Sequence, residues 1–277
     1  MRRDKIINPN DVGIVFGILI VLLIIGSLFD FQITTSVAAL NNTVSTVVAT
    51  YAMLPLTAMV SFLGLQIIAG RDCRDRTKDI GALVAGLLLM GASIALTVYN
   101  TTLYFHEMEL YVNVLIAAAL NIGLSMLLHN VTLNSEADEL YRFKKFAMTV
   151  MIVASLLTLI GRLLWDRMDY IYLVENNPSL FQSWWVITSN IKITTSESFP
   201  SYYVMSFSSL MSLSLFSRLI YAFRHDERFL FYVGFIVALV LSAILIVGGY
   251  IYISDLAISM MVMCLVQVIS IKVIYNE

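Results

Sequence analysis

Two short polar stretches carry the side chains best suited to chemistry. Ser198-Phe199-Pro200-Ser201-Tyr202-Tyr203 ends a polar loop and opens a long apolar run rich in serine. Gly249-Tyr250-Ile251-Tyr252-Ile253-Ser254-Asp255 lies between the two apolar runs that follow. Tyr203 offers a phenol that can donate a proton, although an ordinary tyrosine pKa of about 10 makes it a poor acid at neutrality. Asp255 offers a carboxylate; it also reads as a cap, because Ser254-Asp255 precedes an apolar helix. Arg162 and Arg167 are cations able to hold an anion, and Arg162 also sits where a long side chain snorkels to headgroups. Metal chemistry has little to build on. The two cysteines, Cys73 and Cys264, form no CxxC pattern and read as free thiols, so no metal or cofactor is expected.

The elements that must position these residues are membrane spans. Of 277 residues, 59% are hydrophobic and only 13% charged, about half the charged fraction of a soluble domain. Mean hydropathy is +0.85. A spanning helix needs about 20 mostly apolar residues. Eight runs qualify: Val12–Phe29, Thr50–Ala69, Ile80–Tyr99, Leu110–Leu128, Phe146–Leu164, Tyr202–Phe223, Phe229–Gly249 and Ser254–Ile274. The first is too long for a signal-peptide core and reads as a retained span. Asn113 and Asn121 in the fourth are costly against lipid and should face the protein interior.

Basic residues alternate strictly between connections. Arg2, Arg3 and Lys5, then Arg71, Arg74, Arg76 and Lys78, then Arg142, Lys144 and Lys145, then Arg224 and Arg228 fall on one side. The other side has only Arg167 and Lys192 in its loops, beside His106, Glu107 and Glu109. The positive-inside rule then puts both termini in the cytoplasm. The fold expected is an all-α integral membrane bundle of about eight helices in one polytopic domain over 1–277. No basic stripe supports nucleic-acid binding. The outer loop near 165–201 should hold a short interfacial helix around Phe181, Trp184 and Trp185. Asn100-Thr101-Thr102 fits a glycosylation sequon. Ser206, Ser209 and Ser212 recur every three residues, as in close helix packing or, alternatively, a polar cavity lining.

The two polar stretches, with a third upstream, resemble the motifs of the type 2 phosphatidic acid phosphatase (lipid phosphate phosphatase) superfamily: K-x6-R-P, P-S-G-H and S-R-x5-H-x3-D. Pro200-Ser201-Tyr202-Tyr203 resembles the second motif, with Tyr203 where the family has its acid histidine and Tyr202 for the glycine. Gly249–Asp255 resembles a form G-x-H-Y-x-S-D of the third: Asp255 is kept, Ile251 stands at the nucleophile position, and Leu245 falls at the arginine. Arg162-Leu163-Leu164-Trp165-Asp166-Arg167-Met168-Asp169-Tyr170 resembles K-x-x-W-G-R-x-R-P, with Arg162 for the lysine, Asp169 for the arginine and Tyr170 for the proline. Arg167 matches a common intervening arginine. The likeness runs from the Phe29-Asp30-Phe31 loop through the eighth run.

The resemblance implies a six-helix phosphatase-like core with extra helices and a pocket on the extracytoplasmic face of a bacterial plasma membrane. In the family a histidine attacks phosphorus, an aspartate orients it, a second histidine protonates the leaving alcohol, and cations cradle the phosphate. Isoleucine cannot attack phosphorus, leucine cannot hold a phosphate oxygen, and an aspartate in place of arginine repels a dianion. Of the three histidines, His129 and His225 fall on the inner side, and His106 belongs to no motif. The expectation is a catalytically inactive relative that binds membrane lipids or a membrane-protein partner, with Arg162, Arg167, Tyr203 and Asp255 as candidate ligand-binding residues. Two alternatives stay open: an active phosphatase on phospholipid or polyprenyl phosphates with a rebuilt site, and a lipid transporter or flippase-like protein.

Overall fold

The computed structural model describes residues 6–40, 42–71, 76–105, 108–165, 167–188 and 198–275. Arg2, Arg3, Lys5, Cys73, Arg74, His106, Glu107, Asp166, Lys192 and Glu197 therefore lie outside the described residues.

Helix α1, Pro9–Val37, starts where Asn8 accepts from the Asn10 N–H and Pro9 supplies the fixed backbone angle of a first turn. α2, Thr43–Thr50, is capped by Asn42, and α3, Leu54–Ala69, follows one turn later behind Pro55. α4 is Arg76–Tyr104, α5 Leu110–Thr132 and α6 Ala137–Leu164. The short α7, Tyr170–Glu175, is capped by Asp169, whose carboxylate accepts from the Tyr172 N–H. α8 is Tyr202–Ser208, α9 Phe216–Leu219, α10 Glu227–Val247 and α11 Ile253–Tyr275. No strand occurs among the described residues.

Seven of these helical units are long and apolar enough to cross a membrane: α1, α2 with α3, α4, α5, α6, α10 and α11. They point to a multi-pass membrane protein. The first expected span is longer than its apolar run, because the helix continues through Asp30 to Val37. Phe29-Asp30-Phe31 is thus helix rather than loop. Asn113 and Asn121 are buried, as expected.

The expected sixth span, Tyr202–Phe223, is not one α-helix. α8 passes into a 3-10 stretch, Ser209–Leu215, before α9 and a last 3-10 turn at Tyr221–Phe223. The serines supply the reason. Ser209 Oγ donates to the Ser206 carbonyl (2.6 Å), Ser212 Oγ to that of Ser209 (2.6 Å) and Ser217 Oγ to that of Ser214 (2.7 Å). Hydroxyls bonding back along the chain compete with α-helical backbone bonds. At three residues per turn, a spacing of three stacks them in one row. The pieces of 7, 7 and 4 residues together rise about 30 Å. The serines pack and bond within their own segment; Ser206 also accepts from the Leu56 N–H (3.4 Å).

α11 is central, packing against α1, α6 and α8. One apolar core joins Val15, Leu19, Val204, Met211, Phe235, Leu245, Ile251 and Met260. A second joins Leu56, Phe62, Phe143, Phe146, Val150, Leu215 and Met263. One end of the bundle gathers the C-termini of α1, α4, α6 and α10 with the N-termini of α8 and α11. All described lysines, and all described arginines except Arg162 and Arg167, belong to the opposite end.

Candidate functional site

The three polar stretches meet at the first of these ends. A small cavity there is lined by Tyr104, Arg162, Asp169, Ser198, Ser201, Tyr202, Tyr203, Tyr250 and Ile251. Five of the residues singled out from sequence thus converge: Arg162, Asp169, Ser201, Tyr203 and Ile251. Four pieces of structure carry them. Arg162 ends α6. Asp169 caps α7. Ser201 caps α8 by accepting from the Val204 N–H (3.4 Å), and Tyr203 sits in the first turn. Ile251 lies in the turn between α10 and α11.

The other four do not line the cavity. Pro200 packs on α6, where Gly161 leaves room for its ring: a Cβ at 161 would lie 2.0 Å from Pro200 Cδ. Leu245 is buried in the apolar core. Arg167 and Asp255 are engaged with each other, and not available to a ligand. Arg167 is 1% exposed. It donates to Asp255, to Ser254 Oγ (2.7 Å) and to Asp30 Oδ2 (2.8 Å). Its guanidinium lies over the rings of Tyr252 (4.4 Å) and Phe181 (5.6 Å). Asp255 also accepts from the Tyr252 N–H (3.1 Å). That is the reach-back of a third-turn-position acid to the N-cap amide, so the capping reading of Asp255 holds alongside its ion pair.

The floor of the cavity is a tyrosine cluster. The Tyr104 and Tyr203 hydroxyls are 2.6 Å apart, and Tyr203 donates to Asn100 Oδ1 (3.2 Å). Asn100 in turn donates to the carbonyls of Ala49 (2.9 Å) and Thr50 (2.6 Å). Tyr250 shares a hydrogen bond with Thr46 (3.3 Å) and stands edge-on to Tyr104. Tyr203 is therefore a fixed member of a hydrogen-bond chain. Asn100 is 0% exposed; with both amide hydrogens engaged it cannot accept a glycan, and the sequon reading is corrected. Tyr104, Tyr250 and Asn100 were not apparent as site residues, because each is an ordinary polar residue near a span end.

Arg162 is the one cation lining the cavity, and its Nε has no hydrogen-bond partner among the described residues. The cavity volume is about 20 Å³, room for about one water. A phosphate ester does not fit without movement of the tyrosines.

Burial pushes the Asp169 carboxyl up to about 7, with Glu175 and Asp255 adding to the rise and the Tyr172 N–H opposing it. A raised carboxyl favours the folded state most when protonated. Stability from this group is therefore fully present below about pH 4 and falls as pH rises towards 7. Asp169→Asn keeps the cap and removes the charge. It should raise stability by about 2–4 kcal/mol at pH 8 and leave it unchanged at pH 4. Thermal unfolding of both proteins at the two pH values checks this; equal gains at both would refute it.

The aromatic part of the 165–201 segment differs from expectation. Its helical pieces are α7 and a 3-10 turn at Pro178–Leu180, while Trp184 and Trp185 form a turn. Trp165 Nε1 donates to the Trp184 carbonyl (2.7 Å), and Trp184 Nε1 to Ser27 Oγ on α1 (2.8 Å). These two bonds tie the tryptophan turn to the end of α6 and to α1. Comparison of the chain with models of protein families, with curated proteins and with solved structures finds no match.

Proposed function

We propose that this chain is built on a lipid-phosphate-phosphatase-like scaffold whose chemistry has been lost, and that it acts by binding a partner protein or a lipid headgroup. One observation carries the reading. Two of the three positions that the resemblance assigns to the cradle, with those of the acid and the nucleophile, converge on one cavity from three separate stretches, and are filled by Arg162, Asp169, Tyr203 and Ile251. None of these can attack phosphorus in the family manner. The cavity keeps one cation, Arg162, whose Nε has no hydrogen-bond partner among the described residues, and is too small for the ester.

The sorting of lysines and arginines to the opposite end favours a cytoplasmic location for that end and both termini. The cavity would then face the extracytoplasmic side of a plasma membrane, bacterial by the form of the resemblance.

The test is phosphate release from a panel of phospholipid and polyprenyl phosphates by the purified protein in detergent, beside Tyr203→Phe. The expected result is no release above background from either. Release that Tyr203→Phe abolishes would sink the reading in favour of a rebuilt phosphatase.

A further inference from the structure

A second cavity, of about 450 Å³, opens between the last turns of α1 and the turn that carries the paired tryptophans. It shares no lining residue with the tyrosine cavity. Its walls are Phe31, Phe181, Trp184 and Trp185, and Asp30 is the one charged residue among those lining it. Phe31 and Phe181 lie 5.2 Å apart, and the two indoles meet edge-on at 5.8 Å.

Among the described residues, the charge around this cavity is negative. Asp30 and Asp255 share the single guanidinium of Arg167, which is covered by Tyr252 and Phe181 and does not line the cavity. The Trp184 indole N–H is occupied by Ser27. An occupant therefore meets four aromatic side chains, with the hydroxyls of Ser27 and Ser183 and the amide of Gln32 beside them, backed by a carboxylate excess among the described residues. Aromatic faces carry negative potential and attract weakly hydrated cations, quaternary ammonium above all. Next to the cavity, α1 exposes Ile24 and Leu28. Acyl chains lying along that face would bring their headgroup to the cavity mouth.

We propose that this cavity holds the ammonium group of a zwitterionic lipid headgroup. The proposal names a ligand class at a place separate from the tyrosine cavity, so phosphate release in the assay above would leave it standing.

All three tryptophans, Trp165, Trp184 and Trp185, belong to this region, which makes intrinsic fluorescence a direct readout. The purified protein in a neutral detergent is titrated with choline and with its uncharged isostere 3,3-dimethyl-1-butanol. Choline should give a saturable change and the alcohol none. Trp185 is 52% exposed, so Trp185→Ala should fold with an unchanged melting temperature and bind choline about tenfold more weakly. In nanodiscs, phosphatidylcholine should shield the tryptophans from acrylamide more than phosphatidylglycerol does. No saturable response to choline, an equal response to the alcohol, unchanged binding by Trp185→Ala, or equal shielding by the two lipids would each overturn the proposal.

Discussion

Arg167→Met unfolds the protein, or lowers its stability by about 3–5 kcal/mol, because two buried carboxylates lose the one counter-charge they have among the described residues. Asp30 and Asp255 are 5% and 0% exposed, so neither can turn to water. A domain with about 5–15 kcal/mol in hand does not tolerate much more. The pair of neutralising changes Asp30→Asn and Asp255→Asn, added to Arg167→Met, should recover most of the loss. The hydrogen bonds to the Ser254 and Tyr252 amides can be kept by an amide oxygen, and the charge conflict is gone. Thermal unfolding in detergent, followed by circular dichroism, compares the wild type, the single variant and the triple variant. A melting temperature for Arg167→Met equal to that of wild type would mean that the cluster holds nothing together.

Gly161→Ala destabilises by about 1–2 kcal/mol, against the usual rule for helices. Alanine in place of a helical glycine normally stabilises by about 1 kcal/mol. At 161 the new methyl would collide with Cδ and Cγ of the Pro200 ring, and overpacking of this kind costs about 1–3 kcal/mol, which outweighs that gain. Gly123, on α5, has nothing within 4 Å of such a methyl, so Gly123→Ala is the control and should stabilise. The two alanine variants are read side by side by thermal unfolding. Opposite signs are expected; two stabilising changes would show that α6 and the Pro200 turn separate without cost. Because Pro200 leads into Ser201 and Tyr203, displacement should also break the Tyr104–Tyr203 hydrogen bond, which tyrosine absorbance can follow.

The spans were legible in the sequence because lipid-facing helices have no other way to look. Long apolar runs separated by charge mark α4, α5, α10 and α11 within a turn or two, and α1 and α6 within about two and a half turns. Asn113 and Asn121 were legible for the same reason, as amides too costly to leave in hydrocarbon. The helical type of the serine-rich segment was not. Its spacing of three fits both an α-helical packing face and a row of back-bonding hydroxyls, and only the backbone separates them.

The candidate cavity was half legible. Motif order and spacing pointed to Arg162, Asp169, Ser201, Tyr203 and Ile251. They could not tell that Arg167 and Asp255 would face each other, because their partner Asp30 reads from sequence as part of a loop after the first span, whereas α1 carries it inward as helix. Tyr104, Tyr250 and Asn100 were missed on similar grounds. Their roles come from which helix ends meet, a long-range fact with no local signature. In Asn100 the local signature even misleads, since Asn-Thr-Thr fits a surface sequon while the side chain ties α4 to the backbone of α2.

The shared guanidinium also sets an order of events during synthesis. Asp30 is made 137 residues before Arg167 and 224 before Ser254. At about 5–20 residues per second, the first interval alone is roughly 7–30 s. Through that time the first helix holds an acid whose eventual counter-ion has not been translated. Asp30 must therefore wait hydrated at the edge of the nascent bundle, and α1 cannot take its final seat until the last helix arrives with Ser254 and Asp255. Chain termination before Arg167 would strand the acid, which gives a cell's quality control a simple electrostatic mark of an unfinished copy.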